Sequence, residues 1–338
     1  MTDSVKQLEI LKHFCQTFGP SSMEEAVARL IPEYLGETFT CQTTPHRNMV
    51  AFQPHVSNHR QAIVIQAHMD ELAFKPTRYL ENGLIEVYPV SALPMDACNQ
   101  RVIFQPGNIP GLLTVQQKDK QRFYYVDIGA ASAQDARDQV PVYAVGAYQN
   151  DVVFRGTQAV GKSFDDRAAV AAMVCALASE QCREQAGKRV IALFTVREET
   201  FFWSHREVTR VVSDLDVKAG LFVNIESCPA NKPPVSGGFN AELGKGVVIA
   251  HMDKSYVAFP HVSRQLMELA ATHEIPIQNM VSNKGHGELG KLCYELETPG
   301  IGLAIPSLFM HSPNSVIDVR DFDALVRLVM AIITDYQP

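Results

Sequence analysis

The chain has 338 residues, of which 46% are hydrophobic and 20% are charged. This composition is typical of globular proteins and excludes an intrinsically disordered chain, and the length corresponds to about two domains. The 30 basic and 37 acidic residues leave a net charge of −7. Because the sequence has no run of Lys and Arg that would follow a phosphate backbone, nucleic acid is not expected as a partner.

The sequence also predicts the cellular compartment of the protein. It contains no run of about 18 apolar residues, so neither a transmembrane helix nor membrane contact is predicted. The N-terminus lacks the apolar core and cleavage site of a signal peptide. The 7 cysteines include no Cys-x-x-Cys pair and fit a reducing compartment, so we expect a cytoplasmic protein.

Apolar spacing predicts two helices before the first strand. Residues 3–18 carry apolar side chains at helical spacing, and the Gly-Pro pair at 19–20 ends that helix. Ser21 is the predicted N-cap of a second helix, which ends near Gly36. The continuous apolar run at 62–67 then predicts a strand that is buried on both faces.

The pattern changes in the middle of the chain and then returns. Between residues 75 and 160, short β-like runs alternate with prolines and glycines, which predicts a small all-β module. After this module the predicted elements are a helix at 163–180, strands at 189–195, 220–225 and 300–305, and helices at 262–273 and 319–336.

This order of elements predicts an α/β fold. We expect a doubly wound mixed sheet flanked by helices, into which a small all-β domain is inserted. Residues 1–74 and 161–338 would form the α/β domain, and residues 75–160 would form a β-barrel-like insertion that serves dimerisation or assembly.

Polar side chains follow the predicted strands at the edge where α/β proteins bind their ligands. Histidine and carboxylate with no cysteine are ligands typical of Zn²⁺, Co²⁺ or Mn²⁺ in hydrolytic sites. Two metals would need a bridging carboxylate and a few terminal ligands, and the number of candidates fits that requirement. The candidates are His68 and Asp70, the pair Asp165-Asp166, the pair Glu198-Glu199, Glu226, and His311.

Each candidate also has a plain structural interpretation. A single histidine at a strand end is most often a residue of the surface or core, but Asp70 beside it can orient His68 as a ligand. The acidic pair at 165–166 is also compatible with simple charge in the first turn of a helix. Adjacent side chains after a strand point to different sides, so one glutamate of the pair at 198–199 can bind metal while the other acts as a base. We interpret His251 as structural, because no acidic pair accompanies it.

Taken together, four segments resemble the M42 family of di-metal aminopeptidases, as a divergent member. This family includes the tetrahedral aminopeptidases, the FrvX-like proteins and proteins formerly labelled endoglucanases. The resemblance covers most of the chain, including the β insertion. It rests on His68-x-Asp70, Gly161-Lys162-Ser163-Phe164-Asp165-Asp166-Arg167, Glu198-Glu199 and Met310-His311-Ser312-Pro313.

The resemblance implies a two-metal hydrolase that removes N-terminal residues from peptides. It implies two divalent ions per subunit, Zn²⁺ or Co²⁺ with Mn²⁺ as a further option, and self-association to dimers and to a twelve-subunit shell. The implied metal ligands are His68, Asp165 as the bridge, Glu199, Glu226 and His311, with Asp166 in support of Asp165. The implied catalytic residues are Glu198, as the general base that activates a metal-bridging water, and Asp70; the implied substrate-binding residues are His286 and Glu288.

The chain departs from the family pattern at four places, and two alternatives therefore stay open. Glu226 replaces the usual aspartate, and segments 200–205, 285–288 and 314–315 differ from the family. One alternative is an amidohydrolase that acts on an N-acylated or amidated amino acid or dipeptide. The other is a metal-binding assembly protein without catalytic activity.

Overall fold

The computed structural model describes the chain as alternating strands and helices. The described residues are 3–53, 62–91, 93, 99–185, 190–200, 205–215, 218–235, 240–283 and 288–337. The strands are β1 (Thr40–Thr43), β2 (Met49–Phe52), β3 (Ala62–His68), β4 (Ala73–Tyr79), β5 (Ile85–Val90), β6 (Gln100–Gln105), β7 (Ile109–Lys118), β8 (Gln121–Asp127), β9 (Val145–Tyr148), β10 (Val153–Arg155), β11 (Gln158–Gly161), β12 (Val190–Thr195), β13 (Ala219–Pro229), β14 (Val247–Met252), β15 (Ile277–Val281), β16 (Gly300–Ser307) and β17 (Ser315–Asp318). The helices are α1 (Asp3–Gln16), α2 (Glu25–Leu35), α3 (Ala133–Gln139), α4 (Phe164–Ala178), α5 (Glu180–Gln185), α6 (His205–Asp214), α7 (Pro260–Thr272), α8 (Leu289–Glu295) and α9 (Val319–Asp335).

Eight strands form the mixed sheet that the sequence predicts. Their order is β1-β2-β12-β3-β13-β16-β14-β15. The central strands β12, β3, β13 and β16 run parallel, while β2 is antiparallel to β12 and β14 is antiparallel to β16. Every residue of β3, β12 and β16 is buried, which explains why these strands are continuous apolar runs in the sequence.

Helices cover both faces of this sheet. On one face, Ile63, Ile65 and Val223 belong to a core shared with α1, α2, α4 and α9. On the other face, Val64 and Phe222 pack with residues of α6 and α8. The predicted fold, a mixed sheet flanked by helices, is confirmed. Among the described residues, no helix is long and apolar enough to cross a membrane.

The start of α2 differs from the sequence prediction. The helix begins at Glu25, and its N-cap residue, Glu24, makes no side-chain capping bond. The predicted cap, Ser21, instead donates its hydroxyl to Asp70 Oδ2 at 2.6 Å. The prediction was wrong because a buried carboxylate from another segment is the acceptor of this hydroxyl, which therefore does not serve the helix end.

The predicted all-β module contains a closed barrel. Its strands are arranged in the order β4-β5-β8-β7-β6-β9, around a core that includes Phe74, Phe104 and Val126. Pro89 lies inside β5, within the β-like run that the sequence predicts at 84–90, whereas Pro110 lies inside β7 and therefore does not separate two strands as the sequence pattern indicates. The hairpin of β10 and β11 pairs with β17 in a separate three-stranded sheet. The domain boundaries at 75 and 160 stay a prediction.

Arg167 anchors α4 to the end of α1. Its side chain is fully buried, and Nη1 donates to the carbonyl oxygens of Phe14 and Thr17 at 3.0 and 3.2 Å. Nη2 donates to the Gly19 carbonyl at 2.8 Å. A Cβ at Gly19 would lie 2.6 Å from Nη2, so only glycine permits this close approach. The start of α4, which carries Asp165, is thereby held against the N-terminal helices.

Candidate metal centre and active site

The structure brings the candidate ligands together at the carboxyl edge of the central strands. His68 is the last residue of β3, Glu226 lies in β13, and Glu199 lies in a turn of 3-10 helix that follows β12. Asp165 lies at the start of α4, and His311 lies in the segment between β16 and β17. Residues that are distant in the sequence therefore meet at one edge of the sheet, where ligand sites in such folds are found.

The ligand atoms form two groups that share one residue. His68, Asp165 and Glu226 form one group, and Asp165, Glu199 and His311 form the other; within each group the atoms lie within 4.8 Å of one another. His68 Nε2 lies 3.3 Å from Asp165 Oδ1 and 3.7 Å from Glu226 Oε2. His311 Nε2 lies 3.2 Å from Asp165 Oδ2 and 3.7 Å from Glu199 Oε1. The two oxygens of Asp165 therefore face different groups.

The backbone at the start of α4 is irregular where it presents this carboxylate. Asp165 and Asp166 have non-helical dihedral angles, and the peptide bond between them is cis. Asp166 is fully buried, and burial raises its pKa well above its usual value. Its carboxylate oxygens have no hydrogen-bond partner among the described residues. The regular helix thus starts behind Asp165, which leaves that side chain at the edge of the sheet.

Asp70 joins His68 to the turn that carries the glutamate pair. Asp70 Oδ1 lies 3.3 Å from His68 Nδ1 and accepts the amide of Glu198 at 3.0 Å. Asp70 Oδ2 accepts the amide of Glu199 at 3.2 Å. Burial raises the pKa of Asp70, but His68 and the hydrogen bonds outweigh burial and hold that pKa below its usual value. The carboxylate is therefore a charged acceptor that fixes both the imidazole and the turn.

The electrostatics of the site show an excess of negative charge. Burial, together with neighbouring carboxylates, raises the pKa of Glu198 to about 10, that of Glu226 to about 8 and that of Glu199 to about 7. Burial acts against the positive charge of His68, yet Asp165 and Asp70 raise its pKa well above the usual value. Carboxylates that repel one another in this way favour a cation among them. The donor set of imidazole nitrogens and carboxylate oxygens fits divalent ions of the zinc and cobalt type.

A buried ionic cluster beside the site was missed by the sequence analysis. The carboxylate of Glu71, next to Asp70, accepts hydrogen bonds from Lys162 Nζ, the Ser163 hydroxyl and the Gly19 amide. Coulombic attraction to Lys162 is the main effect that opposes burial and keeps the pKa of Glu71 below its usual value. The sequence signals this cluster only by position. Glu71 directly follows Asp70, and Lys162 directly precedes Ser163 in the segment 161–167.

Of the two predicted substrate-binding residues, the structure describes only Glu288. His286 lies outside the described residues. Glu288 is 2% exposed, and its carboxylate accepts hydrogen bonds from Gln66 Nε2 and Thr195 Oγ1. Burial raises the pKa of Glu288 to about 7. In this structure its carboxylate therefore bonds to strand side chains.

His251 lies outside the candidate site. Its Nδ1 lies 2.9 Å from Ser263 Oγ, and its Nε2 lies 2.8 Å from Asn279 Oδ1. The ring thus joins β14 to α7 and β15, as its structural interpretation implies.

The loop after His311 is bonded to the barrel side of the site. Asn150 Nδ2 donates to the Pro313 carbonyl at 3.0 Å and to Asn314 Oδ1 at 2.9 Å. Ser315 Oγ donates to the Phe309 carbonyl at 2.8 Å. The divergent pair at 314–315 thus closes the loop that presents His311. Of the divergent segment 200–205, residues 201–204 lie outside the described part of the chain.

Comparison with known proteins gives consistent matches. The model of a family described as M42 glutamyl aminopeptidase matches residues 48–328. A lysyl aminopeptidase of Pyrococcus furiosus is 24% identical over 304 residues, which cover 84% of this chain and 84% of that relative. The family match extends over most of the chain and includes the five candidate ligands.

Solved structures show the same fold. Aminopeptidase APDkam598 from the archaeon Desulfurococcus kamchatkensis has a TM-score of 0.88 at 24% identity, over 99% of this chain and 96% of its own. The TET1 peptidase of Pyrococcus horikoshii, described as able to assemble into a tetrahedron or a large octahedral shell, has a TM-score of 0.80 at 21% identity, over 98% of this chain and 100% of its own. The sheet and the inserted barrel thus belong to one known architecture.

The role of Asp70 as an anchor can be tested by removing its carboxylate. In Asp70→Ala, two amides and the Ser21 hydroxyl lose their acceptor, so we expect the free energy of unfolding to fall by about 3 kcal/mol. Urea denaturation measures this loss, and hydrogen exchange at the amides of Glu198 and Glu199 should become faster. The control Ser21→Ala removes only one hydrogen bond and should cost about 1 kcal/mol without faster exchange at these amides. Unchanged exchange in Asp70→Ala would contradict the anchor.

Proposed function

Because the chain belongs to the M42 glutamyl aminopeptidase family, we propose that it is a two-metal aminopeptidase that removes residues from the N-terminus of peptides. The observation that carries this proposal is the position of the Asp165 carboxylate. Its two oxygens lie 3.3 Å from His68 Nε2 and 3.2 Å from His311 Nε2, so one side chain faces both donor groups. A bridging carboxylate between two sets of terminal ligands is the arrangement that a two-metal hydrolase needs.

We assign the five candidate ligands to two divalent cations. His68 and Glu226 would hold one cation, Glu199 and His311 would hold the other, and Asp165 would contact both. When bound, such cations polarise the scissile carbonyl and lower the pKa of an attacking water. Glu226, which replaces an aspartate of the family pattern, reaches one methylene further, and the structure supports its assignment with the 3.7 Å separation from His68 Nε2.

Glu198 is the proposed general base. It takes a proton from the attacking water and returns that proton to the leaving amine, which a carboxylate can do when it lies beside the reacting atoms. Its amide donates to Asp70 Oδ1, which also lies 3.3 Å from His68 Nδ1, and its neighbour Glu199 belongs to the second donor group, so this residue lies next to the candidate ligands.

The alternatives from the sequence receive less support than the aminopeptidase. The family match and the lysyl aminopeptidase relative support hydrolysis at a free N-terminus. The segments that suggest a modified amide substrate, 200–205 and 285–288, lie largely outside the described residues. A catalytically inactive assembly protein would have no need for Glu198 beside the two candidate donor groups.

Removal of the proposed base tests this function. We expect Glu198→Gln to lower kcat for aminoacyl p-nitroanilides about a thousandfold, since a general base contributes a factor of this order. The metal content, measured by atomic absorption, should stay unchanged because Glu198 is not among the proposed ligands. Full activity of this variant with its metals bound would refute the assignment.

The matched control is Glu268→Gln, which neutralises an exposed glutamate on α7. This variant should keep wild-type kcat. A parallel panel of N-acyl amino acids separates the second hypothesis, because turnover of the acylated substrates without turnover of the anilides would replace the aminopeptidase by an amidohydrolase.

Metal content tests the ligand assignment independently of activity. After loading with Zn²⁺ or Co²⁺, we expect about two ions per wild-type chain and about one ion in His68→Ala or His311→Ala. Asp165→Ala should lose most of both ions, since the proposed bridge contacts each of them.

His251→Ala is the control for the loss of a histidine. Because His251 bonds to Ser263 and Asn279, away from the candidate site, this variant should keep about two ions per chain. The same metal content in His68→Ala as in His251→Ala would show that His68 is not a ligand.

We also propose that the chain self-associates through its barrel. The barrel region exposes large apolar side chains, with Tyr88 at 67%, Val142 at 62% and Tyr143 at 70%. Exposed apolar groups that lie next to one another mark interaction surfaces. Tyr88 pairs with Lys75 in the sheet, and Lys75 Nζ donates to the Tyr143 carbonyl, so the two tyrosines lie on the same part of the barrel. The TET1 peptidase of Pyrococcus horikoshii, which shares this fold, is described as assembling into a tetrahedron or a large octahedral shell.

Sedimentation velocity tests the assembly. The wild-type protein should sediment well above the mass of one 37.4 kDa chain, and a closed shell of twelve subunits would give twelve times that mass. The double variant Tyr88→Ser/Tyr143→Ser should shift the distribution to smaller species, because it removes apolar area from the barrel. Tyr294→Ser, on α8 and 84% exposed, is the control outside the barrel. Dissociation by Tyr294→Ser alone would place the interface elsewhere.

A further inference from the structure

A second cavity of about 310 Å³ adjoins the candidate metal site. It lies between the end of α1 and the barrel strands β6 and β9. Tyr148 lines both this cavity and the small cavity around Asp165, Glu199 and His311. Lys162 lines the larger cavity, and Glu71, to which its Nζ donates, lines the smaller one. Tyr148 is therefore a wall that the two cavities share, and this ion pair lies between them.

The lining of the larger cavity combines neutral carboxamides with two basic residues, Arg101 and Lys162, and one acid, Asp151. The carboxamides are those of Gln16, Gln105, Asn108, Gln149 and Asn150, and the apolar surface comes from Phe18, Ile103 and Tyr148. The charge of Lys162 is balanced by Glu71. Arg101 is exposed, and within the described part of the chain its guanidinium makes no ion pair. Carboxamides pair with peptide groups, and a guanidinium pairs with a carboxylate.

We propose that this cavity binds the leaving part of a short peptide, with Arg101 binding its C-terminal carboxylate. This inference rests on the proposed function, because it needs the scissile bond to lie at the metal site. The part of the substrate beyond that bond must extend away from the metals, and an extended chain advances only about 3.5 Å per residue. A cavity of this size holds one or two residues, so di- and tripeptides are the substrates whose free carboxylate would lie at Arg101.

Asp151 offers a second test of whether charge in this cavity controls the binding of a substrate carboxylate. It contributes the carboxylate of the cavity lining, and its Oδ1 accepts a hydrogen bond from Gln16 Nε2 at 2.6 Å. A negative group in the same cavity repels a bound carboxylate. Asp151→Asn can keep the bond to Gln16 while it removes the charge, so this variant should favour substrates with a free C-terminus.

The test compares a dipeptide with its C-terminal amide, both beginning with the residue that the wild-type enzyme releases fastest from p-nitroanilides. The measured quantity is the ratio of kcat/KM for the acid to kcat/KM for the amide. We expect this ratio to exceed one in the wild type and to fall about tenfold in Arg101→Ala, as for loss of a charge-assisted hydrogen bond. Arg101→Lys should recover part of the ratio, and Asp151→Asn should raise it.

Arg155→Ala, which removes an exposed arginine of β10, is the matched control and should keep the wild-type ratio. An equal preference for acid and amide in the wild type, or an unchanged ratio in Arg101→Ala, would overturn the inference while anilide turnover still supports the aminopeptidase. Absence of all peptide and anilide turnover would overturn the proposed function instead.

A binding measurement tests the inference even if the protein turns over neither peptides nor anilides. Isothermal titration of the dipeptide and its amide into metal-loaded Glu198→Gln measures recognition without turnover. We expect tighter binding of the acid, and a loss of about tenfold when Arg101→Ala is added to this background. Equal binding of acid and amide would refute the assignment of Arg101, whatever reaction the site performs.

Discussion

Repulsion between buried carboxylates is the constraint on which the candidate metal site at the edge of the sheet depends. Asp165, Glu199 and Glu226 supply oxygens to two groups that contain one imidazole each. A protein interior tolerates such charge only when protons or cations compensate it. Folding and loading of the site are therefore linked, because a cation that binds only the folded arrangement adds its binding free energy to that of folding. The fixed position of Asp70 matters for the same reason, since it keeps the imidazole and the glutamate pair facing each other.

The positions of the candidate ligands could be predicted from the sequence because each follows a recognisable element. His68 ends an apolar strand, and the glutamate pair follows the next parallel strand, so the edge rule for α/β sheets brings them together. Contacts between distant segments could not be predicted in this way. Ser21 has the local pattern of a helix cap, but it bonds to Asp70, 49 residues away. Lys162 and Glu71 are separated by 91 residues, and only the folded chain shows that they pair.

The barrel shows a second limit of local patterns. Prolines ordinarily separate or terminate strands, yet Pro110 lies within β7 and pairs with Ile103 of β6. Closure of the barrel determines which residues pair, and closure depends on strands that are far apart in the sequence. The barrel also does more than extend the molecule, because β6 and β9 form one wall of the cavity beside the metal site. The proposed substrate cavity and the proposed assembly surface thus both involve the same inserted segment.

The bonds from Asn150 to Pro313 and Asn314 have a mechanical consequence. Asn150 lies two residues after the last residue of the barrel strand β9, and Pro313 lies two residues after His311, so a short path through these hydrogen bonds joins the barrel wall to one imidazole. A tilt of the barrel would pull on the loop that presents this imidazole. If the proposed assembly braces the barrel, its subunit contacts would therefore also hold the geometry of the candidate metal site, and a separated subunit would have a looser site.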